Sequence, residues 1–263
     1  MPTSTASWSP AAPIYACSPG PIYSIPIGPA TPRSNRAGAC PSRRNTARST
    51  TTNRACGNRP VAPLHTIGYS RLSVAEVATR LRAAEIDVLC DIRSRPYSRF
   101  NPDFSRERLR DLLAEHGLKY LYLGRELGGL PLDPACYVDG RARFDLMALQ
   151  PSFVEGLDRL GRSLATHRPA IMCAEKEPTQ CHRFLLVSRH MTRRGAEVRH
   201  LKHDGGWEPQ RAVEERLVDL MKLTPPPMLD GEAEWQRAID AAYDKQNRRI
   251  GFTEPEDSGG RLG

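Results

Sequence analysis

Short apolar runs alternate with helical patterns through the middle of the chain, and this alternation constrains the fold more than any other feature. The runs are residues 64–69, 87–93, 118–124, a fourth that ends at Cys173, and 197–201. Each has the length and composition of a buried strand, and helical patterns separate them. The alternation predicts a single three-layer α/β/α domain with a mainly parallel, Rossmann-like sheet of about five strands.

Helix signals lie between and after these strands. Ser73 followed by Glu76 is a capping-box pattern, and Gly117 is a favoured end for the helix before the third strand. After the fifth strand, residues 209–223 and 233–248 form two amphipathic helical patterns. We expect the first to pack on the sheet and the second either to pack loosely or to serve a partner.

The first sixty residues differ from the rest in composition. They contain seven arginines and no Asp, Glu or Lys, and they show no apolar period. Such a segment cannot offset its ordering entropy by burial. Residues 1–60 are therefore predicted to be a disordered basic tail or a spurious extension, with a targeting segment or a nucleic-acid-binding arm as alternatives. Residues 61–223 are predicted as the α/β domain, and residues 224–263 as a linker, helix and tail.

Charge and cysteine content narrow the class of protein. The formal net charge is +8, and removing the seven tail arginines leaves +1 for residues 61–263. Whole-chain charge therefore gives no argument for nucleic-acid binding by the domain. The seven cysteines lack framework spacing, and no stretch has the apolar length of a membrane span. We expect a reduced, cytoplasmic protein with no membrane association.

The turn between the fourth strand and the next helix, residues 173–183, holds the densest group of reactive side chains. Its sequence is Cys-Ala-Glu-Lys-Glu-Pro-Thr-Gln-Cys-His-Arg. In α/β sheets, ligands bind outside the carboxyl ends of the strands, beside helix N-termini that favour anions. If the first, second and fourth strands are neighbours, their ends bring residues 68–70, Asp91, Arg93 and this turn to one rim.

Five motifs occur in one order along the chain. They are His65-Thr66-Ile67-Gly68-Tyr69-Ser70, Asp91-Ile92-Arg93-Ser94, Ser98-Arg99-Phe100-Asn101-Pro102, Leu123-Gly124-Arg125-Glu126-Leu127-Gly128-Gly129, and the 173–183 turn. Together they resemble the "domain of unknown function 488" family over about residues 64–201. The resemblance implies a compact α/β domain of the prokaryotic cytoplasm, and it supplies a fold and a site but no reaction. Two positions depart from the family pattern: Tyr69 stands where many relatives have His, and Glu177 where Asp is common.

The first interpretation of the rim is an anion or nucleotide site, in which arginine guanidinium groups bind phosphate and a lysine adds charge. The predicted ligand-binding residues are Gly68, Ser70, Arg93, Arg99, Asn101, Lys176 and Arg183. The alternative is structural. In it, Arg93 pairs with Asp91, or Arg183 pairs with Glu175, to hold the loops together.

The second interpretation is thiol chemistry, because a cysteine at a helix N-terminus beside His and Arg has its thiolate favoured. The predicted catalytic residues are Cys173, Glu175, Cys181, His182 and Asp91. The alternative is that the cysteines are buried as plain apolar residues. Metal binding by the two cysteines and the histidine is a third interpretation. Their spacing is not the usual Cys-x-x-Cys pair and no fourth ligand is local, so no metal ligand is predicted.

Aromatic and basic residues mix near the ends of the second and third strands. Tyr97, Phe100 and Tyr122 lie among Arg95, Arg99 and Arg125, a combination that can stack on a nucleobase and hold it. The alternative is a loop folded over so that these aromatics pack on neighbouring prolines.

The predicted function is the binding of a phosphate-bearing small molecule, a nucleotide or a nucleic-acid end, with the 173–183 turn acting on it. Two alternatives stay open: a non-catalytic ligand-sensing or protein-interaction module, and a thiol-dependent enzyme for an uncharged substrate. The sequence leaves the cofactor and the oligomeric state unknown, and it does not decide whether the protein is an enzyme.

Overall fold

The computed structural model describes residues 62–229 and 231–253, so the predicted tail at residues 1–60 lies outside the described residues. One six-stranded sheet forms the centre, in the order β3-β2-β6-β1-β7-β8. The strands are β1 Leu64–Gly68, β2 Val88–Asp91, β3 Lys119–Tyr122, β4 Tyr137–Val138, β5 Arg141–Ala142, β6 Pro169–Cys173, β7 Val198–Leu201 and β8 Trp207–Pro209. The first five strands of the sheet order are parallel, which confirms the predicted mainly parallel sheet.

Helices cover both faces of this sheet. They are α1 Val74–Ala83, α2 Arg106–Glu115, α3 Gly124–Leu127, α4 Phe144–Met147, α5 Pro151–Thr166, α6 Arg189–Arg193, α7 Gln210–Leu220 and α8 Glu232–Ile250. Alternate residues of one strand enter different cores: Ile171 faces the core that contains α5, α7 and α8, and Met172 faces the core that contains α1 and α2. The period of two along the strands thus builds the predicted three layers.

Two sequence signals for helix ends are confirmed in detail. Ser73 Oγ accepts a hydrogen bond from the Glu76 N–H at 3.2 Å, and the Glu76 carboxylate accepts one from the Ser73 N–H at 2.8 Å. Gly117 has a φ of +73°, the left-handed conformation that ends the preceding helix.

The structure adds short strands that the sequence pattern did not predict. The β8 strand pairs antiparallel with β7, and β4 pairs with β5 in a separate two-stranded hairpin within residues 125–143. The C-terminal helix α8 does not pack loosely, because Ile239, Ala242 and Tyr243 are buried in the core. Within residues 62–229 and 231–253, every helix is too short or too polar to cross a membrane.

The order of the central strands decides where the site lies. The strands β2, β6 and β1 are direct neighbours, as predicted, and their registers align Asp91 with Met172 and Gly68 with Cys173. The carboxyl ends of all three strands therefore meet at one edge of the sheet.

Candidate functional site

The 173–183 turn begins where β6 ends and is held by the tip of β1. The N–H groups of Tyr69 and Ser70 donate to the carbonyls of Cys173 and Ala174 at 3.1 and 2.9 Å. A Cβ atom on Gly68 would lie 1.8 Å from the Glu175 carbonyl oxygen, so this close approach requires glycine. Gly68 and Ser70, two predicted ligand-binding residues, thus shape the turn through their backbones.

The buried side chain of Arg183 holds the 173–183 turn in place through hydrogen bonds to its backbone. Its guanidinium donates hydrogen bonds to the backbone carbonyls of Glu175 and Lys176, the latter at 2.8 Å. The side chain is only 1% exposed. Arg183 therefore has the structural role of the alternative, since it holds the turn together. The acceptor differs, because the guanidinium binds the backbone carbonyl of Glu175 and not its carboxylate.

Asp91 and Arg93 form a buried ion pair with two hydrogen bonds. Arg93 Nε donates to Asp91 Oδ1 at 2.9 Å, and Nη2 donates to Oδ2 at 2.6 Å. The Tyr120 hydroxyl also donates to Asp91, at 2.8 Å, and Arg93 donates to the Tyr69 hydroxyl at 3.1 Å. Burial opposes a charged Arg93, but Asp91 outweighs it and holds the pKa of Arg93 above its usual value. This pair matches the structural alternative.

Cys173, Cys181 and His182 converge on one point, and we call them the cysteine–histidine cluster. One ligand-type atom from each residue lies within 4.8 Å of the others. Nδ1 of His182 is 3.6 Å from Cys173 Sγ and 3.8 Å from Cys181 Sγ. Nε2 of the same ring is 3.0 Å from the Ile92 carbonyl, which can only accept, so Nε2 carries the proton. The lone pair of Nδ1 therefore points at the two sulfur atoms.

The environment favours one thiolate in this pair, on Cys181. Burial alone would raise the pKa of Cys181, but a hydrogen bond from Cys173, together with the positive charge of Arg183, holds that pKa well below the usual value. The pKa of Cys173 lies well above its usual value, because its thiol donates to Cys181 and because burial disfavours its thiolate. The Arg183 N–H also donates to Cys181 Sγ, at 3.4 Å.

The cluster faces a cleft of about 320 Å³, which we call the cysteine cleft. Its lining residues are Tyr69, Arg93, Ser94, Arg95, Tyr97, Gly129, Leu130, Phe144, Cys173, Ala174, Glu175, Gln180, Cys181, His182, Ile250 and Phe252. The lining thus combines two thiols, an imidazole, a carboxylate, two guanidinium groups and several aromatic side chains. A cleft of this size is near the lower limit for small-molecule sites.

The structure sorts the predicted site residues into three groups. Those that line the cysteine cleft are Arg93, Cys173, Glu175, Cys181 and His182. Those that support it from within the protein are Gly68, Ser70, Asp91 and Arg183. Those outside its lining are Arg99, Asn101 and the exposed Lys176. Direct ligand contact by any of them stays a prediction.

Four side chains of the segment 94–100 are exposed, whereas Pro96 is buried. Tyr97 is 66% exposed and Phe100 is 101% exposed, so these aromatics do not pack on neighbouring prolines. Arg95 and Arg99 are exposed as well, and neither has an ion-pair or hydrogen-bond partner among the described residues. Tyr97 and Arg95 belong to the wall of the cysteine cleft, so the exposed segment continues directly into it.

Sequence reasoning missed the part of the wall that comes from distant segments. Gly129 lies against His182, and a Cβ there would come within 2.9 Å of the ring. Phe144, Ile250 and Phe252 close the cleft from α4 and the C-terminal end of α8. Gly129 belongs to the fourth motif, but no local sequence signal marks the other three residues, because only tertiary packing brings them to the site.

A larger cleft of about 570 Å³ lies beside β1 and β7, and its chemistry differs. Arg168 and Arg199 in its wall are paired with Glu85 and Glu197, and Arg199 also stacks on Trp207. No cysteine lines it. We therefore place the candidate site at the cysteine cleft, where reactive groups converge.

Comparison with known proteins supports the family resemblance drawn from the motifs. Residues 73–190 match the family model described as "Domain of unknown function DUF488", a segment that includes β2, β3, β6 and the whole 173–183 turn. No curated protein and no solved structure matches the chain. Residues 73–190 thus match the family of domains of unknown function DUF488, the family that the five motifs resemble.

Proposed function

We propose that the cysteine cleft binds a phosphate-bearing ligand, a nucleotide or a nucleic-acid end, and that the domain acts on it through the cysteine–histidine cluster in the cytoplasm. One observation carries the proposal. The same cleft is lined by the cluster and by Arg95, whose guanidinium has no ion-pair or hydrogen-bond partner within the described ranges. The cysteine–histidine cluster and the unpaired guanidinium of Arg95 thus line the same small cleft.

The free guanidinium matters because the other two arginines near the cleft are already engaged. Arg93 is neutralised by Asp91, and Arg183 donates to backbone carbonyls. Arg95 retains all its donors, in the planar arrangement that matches a phosphate group. The aromatic side chains of Tyr69 and Tyr97 in the wall supply apolar surface for the rest of such a ligand.

A second candidate is a thiol-dependent enzyme for an uncharged substrate, and the lowered pKa of Cys181 favours it. Ligand binding by an Arg95 variant distinguishes the two candidates, because an uncharged substrate does not need this arginine. A non-catalytic module is a third candidate, and it would bind the ligand without converting it to a product. Under the proposal, Cys181→Ser retains ligand binding and loses turnover; equal turnover by this variant and the wild type would contradict a role for the cluster.

The test is a thermal-shift screen of the full-length protein against inorganic phosphate, sulfate, ribonucleoside monophosphates and short oligonucleotides. We expect at least one phosphate-bearing compound to raise the melting temperature, since a ligand that binds the native state stabilises it. Arg95→Ala should weaken that binding by about 10-fold to 100-fold, because hydrogen bonds to charged groups contribute about 1.5–3 kcal/mol.

The matched control is Arg162→Ala, which removes an exposed arginine on α5, outside the lining of the cysteine cleft. It should bind like the wild type. Equal weakening by both variants would show a nonspecific charge effect and contradict the proposed site. Absence of any shift with every phosphate-bearing compound would contradict the proposed ligand class.

A further inference from the structure

We infer that Cys173, Cys181 and His182 bind a zinc ion whose fourth coordination position opens into the cysteine cleft. The two nitrogen-to-sulfur distances fit such an ion, and the two sulfur atoms lie within 4.8 Å of each other. For tetrahedral zinc about 2.3 Å from sulfur and about 2.0–2.1 Å from nitrogen, the sulfur and nitrogen ligands lie about 3.6 Å apart. Nδ1 of His182 lies 3.6 Å from one sulfur and 3.8 Å from the other.

The orientation of the imidazole is already that of a metal ligand. Its Nε2–H donates to the Ile92 carbonyl, which leaves the Nδ1 lone pair directed at both sulfur atoms. Histidine ligands of metals commonly donate their second N–H to a carbonyl or carboxylate in this way. Gly129 lies beside the same ring, where an added Cβ would come within 2.9 Å of Cγ and 3.1 Å of Nδ1, so a side chain at this position would press on the imidazole.

The presence of two sulfur atoms favours a metal over a simple cysteine–histidine pair. Nδ1 has a single lone pair and can accept one proton at most, yet two sulfur atoms lie within 3.8 Å of it. A cation between the three atoms satisfies all of them after both thiols release their protons. Burial agrees, because Cys181 is only 2% exposed. A metal ligand needs no direct contact with a substrate, so this burial is no obstacle to the role.

The three ligands indicate which ion binds and whether its role is structural or catalytic. Two thiolates and one imidazole suit zinc, whereas magnesium and calcium prefer oxygen. Three protein ligands with an open fourth position are typical of catalytic zinc and not of structural zinc. All three residues line the cysteine cleft, so water or an anionic oxygen of a bound molecule can occupy that position. The metal site goes beyond the proposed function and does not require its phosphate-bearing ligand.

Cobalt substitution tests the inference in the reduced, full-length protein after metal removal by a chelator. We expect one Co²⁺ per site to produce thiolate-to-cobalt charge-transfer absorption, and zinc to displace it. Cys173→Ser, Cys181→Ser and His182→Gln should each weaken zinc binding by more than about 100-fold. The matched control is Cys136→Ser, which removes a buried thiol outside the cluster and should bind zinc like the wild type.

Two further measurements keep the test valid if a variant folds poorly. Zinc should raise the melting temperature of the wild type, because it binds only the folded site. Gly129→Ala retains all three ligands but places a Cβ 2.9 Å from the His182 ring, and it should weaken zinc binding about 10-fold. Equal zinc affinity in the wild type and Cys181→Ser would overturn the inference, as would a wild-type melting temperature that zinc leaves unchanged. Either result leaves phosphate binding at Arg95 untouched.

Discussion

Two pairs of arginines near the site show how burial decides what a charged residue can do. Arg93 and Arg183 are buried. The guanidinium of Arg93 donates to the Asp91 carboxylate, and that of Arg183 donates to backbone carbonyls of the 173–183 turn. Arg95 and Arg99 are exposed and have no ion-pair or hydrogen-bond partner in the described part of the chain. A buried charge requires such partners and an exposed one does not. The buried pair therefore builds the site, and the exposed pair is available to a ligand.

The largest expected effect comes from Arg93→Ala, which leaves the Asp91 carboxylate buried without its ion-pair partner. Removing one partner of a buried pair costs about 3–5 kcal/mol, so the free energy of unfolding should fall by about that amount. Chemical denaturation measures it. Because the pair acts as a unit, Asp91→Ala and the double variant should show strong coupling in a double-mutant cycle, and additive effects would contradict the pairing.

Arg183→Ala should destabilise the protein somewhat less, by about 2–4 kcal/mol, since two carbonyls of the turn lose a charged donor. It should also raise the pKa of the Cys181 thiol, because Arg183 is one of the groups that lower it. The pH dependence of thiol alkylation in the chelator-treated, metal-free protein, read by mass spectrometry at Cys181, measures this second effect. An unchanged pKa in a folded variant would show that Arg183 acts on the turn alone.

A buried histidine, His200, makes the stability of the protein depend on pH. Burial lowers the pKa of His200 to about 3, and its ring lies between Thr66 and Gln210 at 2.8 Å from each. Between pH 6.5 and 3 the unfolded chain binds a proton at this residue and the folded chain does not, so stability falls as the pH falls. His200→Gln should reduce the slope of unfolding free energy against pH by about 1.4 kcal/mol per unit. An unchanged slope would contradict the buried neutral ring.

The smallest expected effect on stability is that of the exposed pair. Arg95→Ala and Arg99→Ala should each change the free energy of unfolding by less than about 0.5 kcal/mol, as exposed substitutions without partners usually do. Denaturation measured in parallel with Arg183→Ala gives the contrast directly. A loss above about 1 kcal/mol at Arg95 would show that this guanidinium has a structural partner, and the comparison would fail.

Much of the fold is predictable from the sequence because the strands and helices have strong periods. The alternation over residues 64–201 gives the parallel sheet and its central strands, and Ser73 with Glu76 gives the start of α1. The β8 strand was not predicted, because it has three residues and ends in proline, so its pattern is that of a loop. The tight packing of α8 was not predicted either, since an amphipathic pattern does not identify what covers its apolar face.

The site was predictable in location but not in its internal contacts. Parallel strand ends and a turn rich in reactive residues indicate the correct edge of the sheet. The sequence could not decide whether Arg93 binds Asp91 or a ligand, because that depends on burial and on Tyr120 from the neighbouring strand. Nor could it show that Cys173 and Cys181 meet at one nitrogen of His182, since the seven residues between the two cysteines can fold in many ways.

The most direct test of the account is anomalous diffraction at the zinc edge from crystals of the full-length protein grown with zinc and inorganic phosphate. We predict a peak about 2.3 Å from the sulfur atoms of Cys173 and Cys181 and about 2.0–2.1 Å from Nδ1 of His182. Phosphate should lie in the cysteine cleft, in contact with Arg95. Absence of a peak at the cluster, or a disulfide bond that joins the two sulfur atoms, would contradict the account.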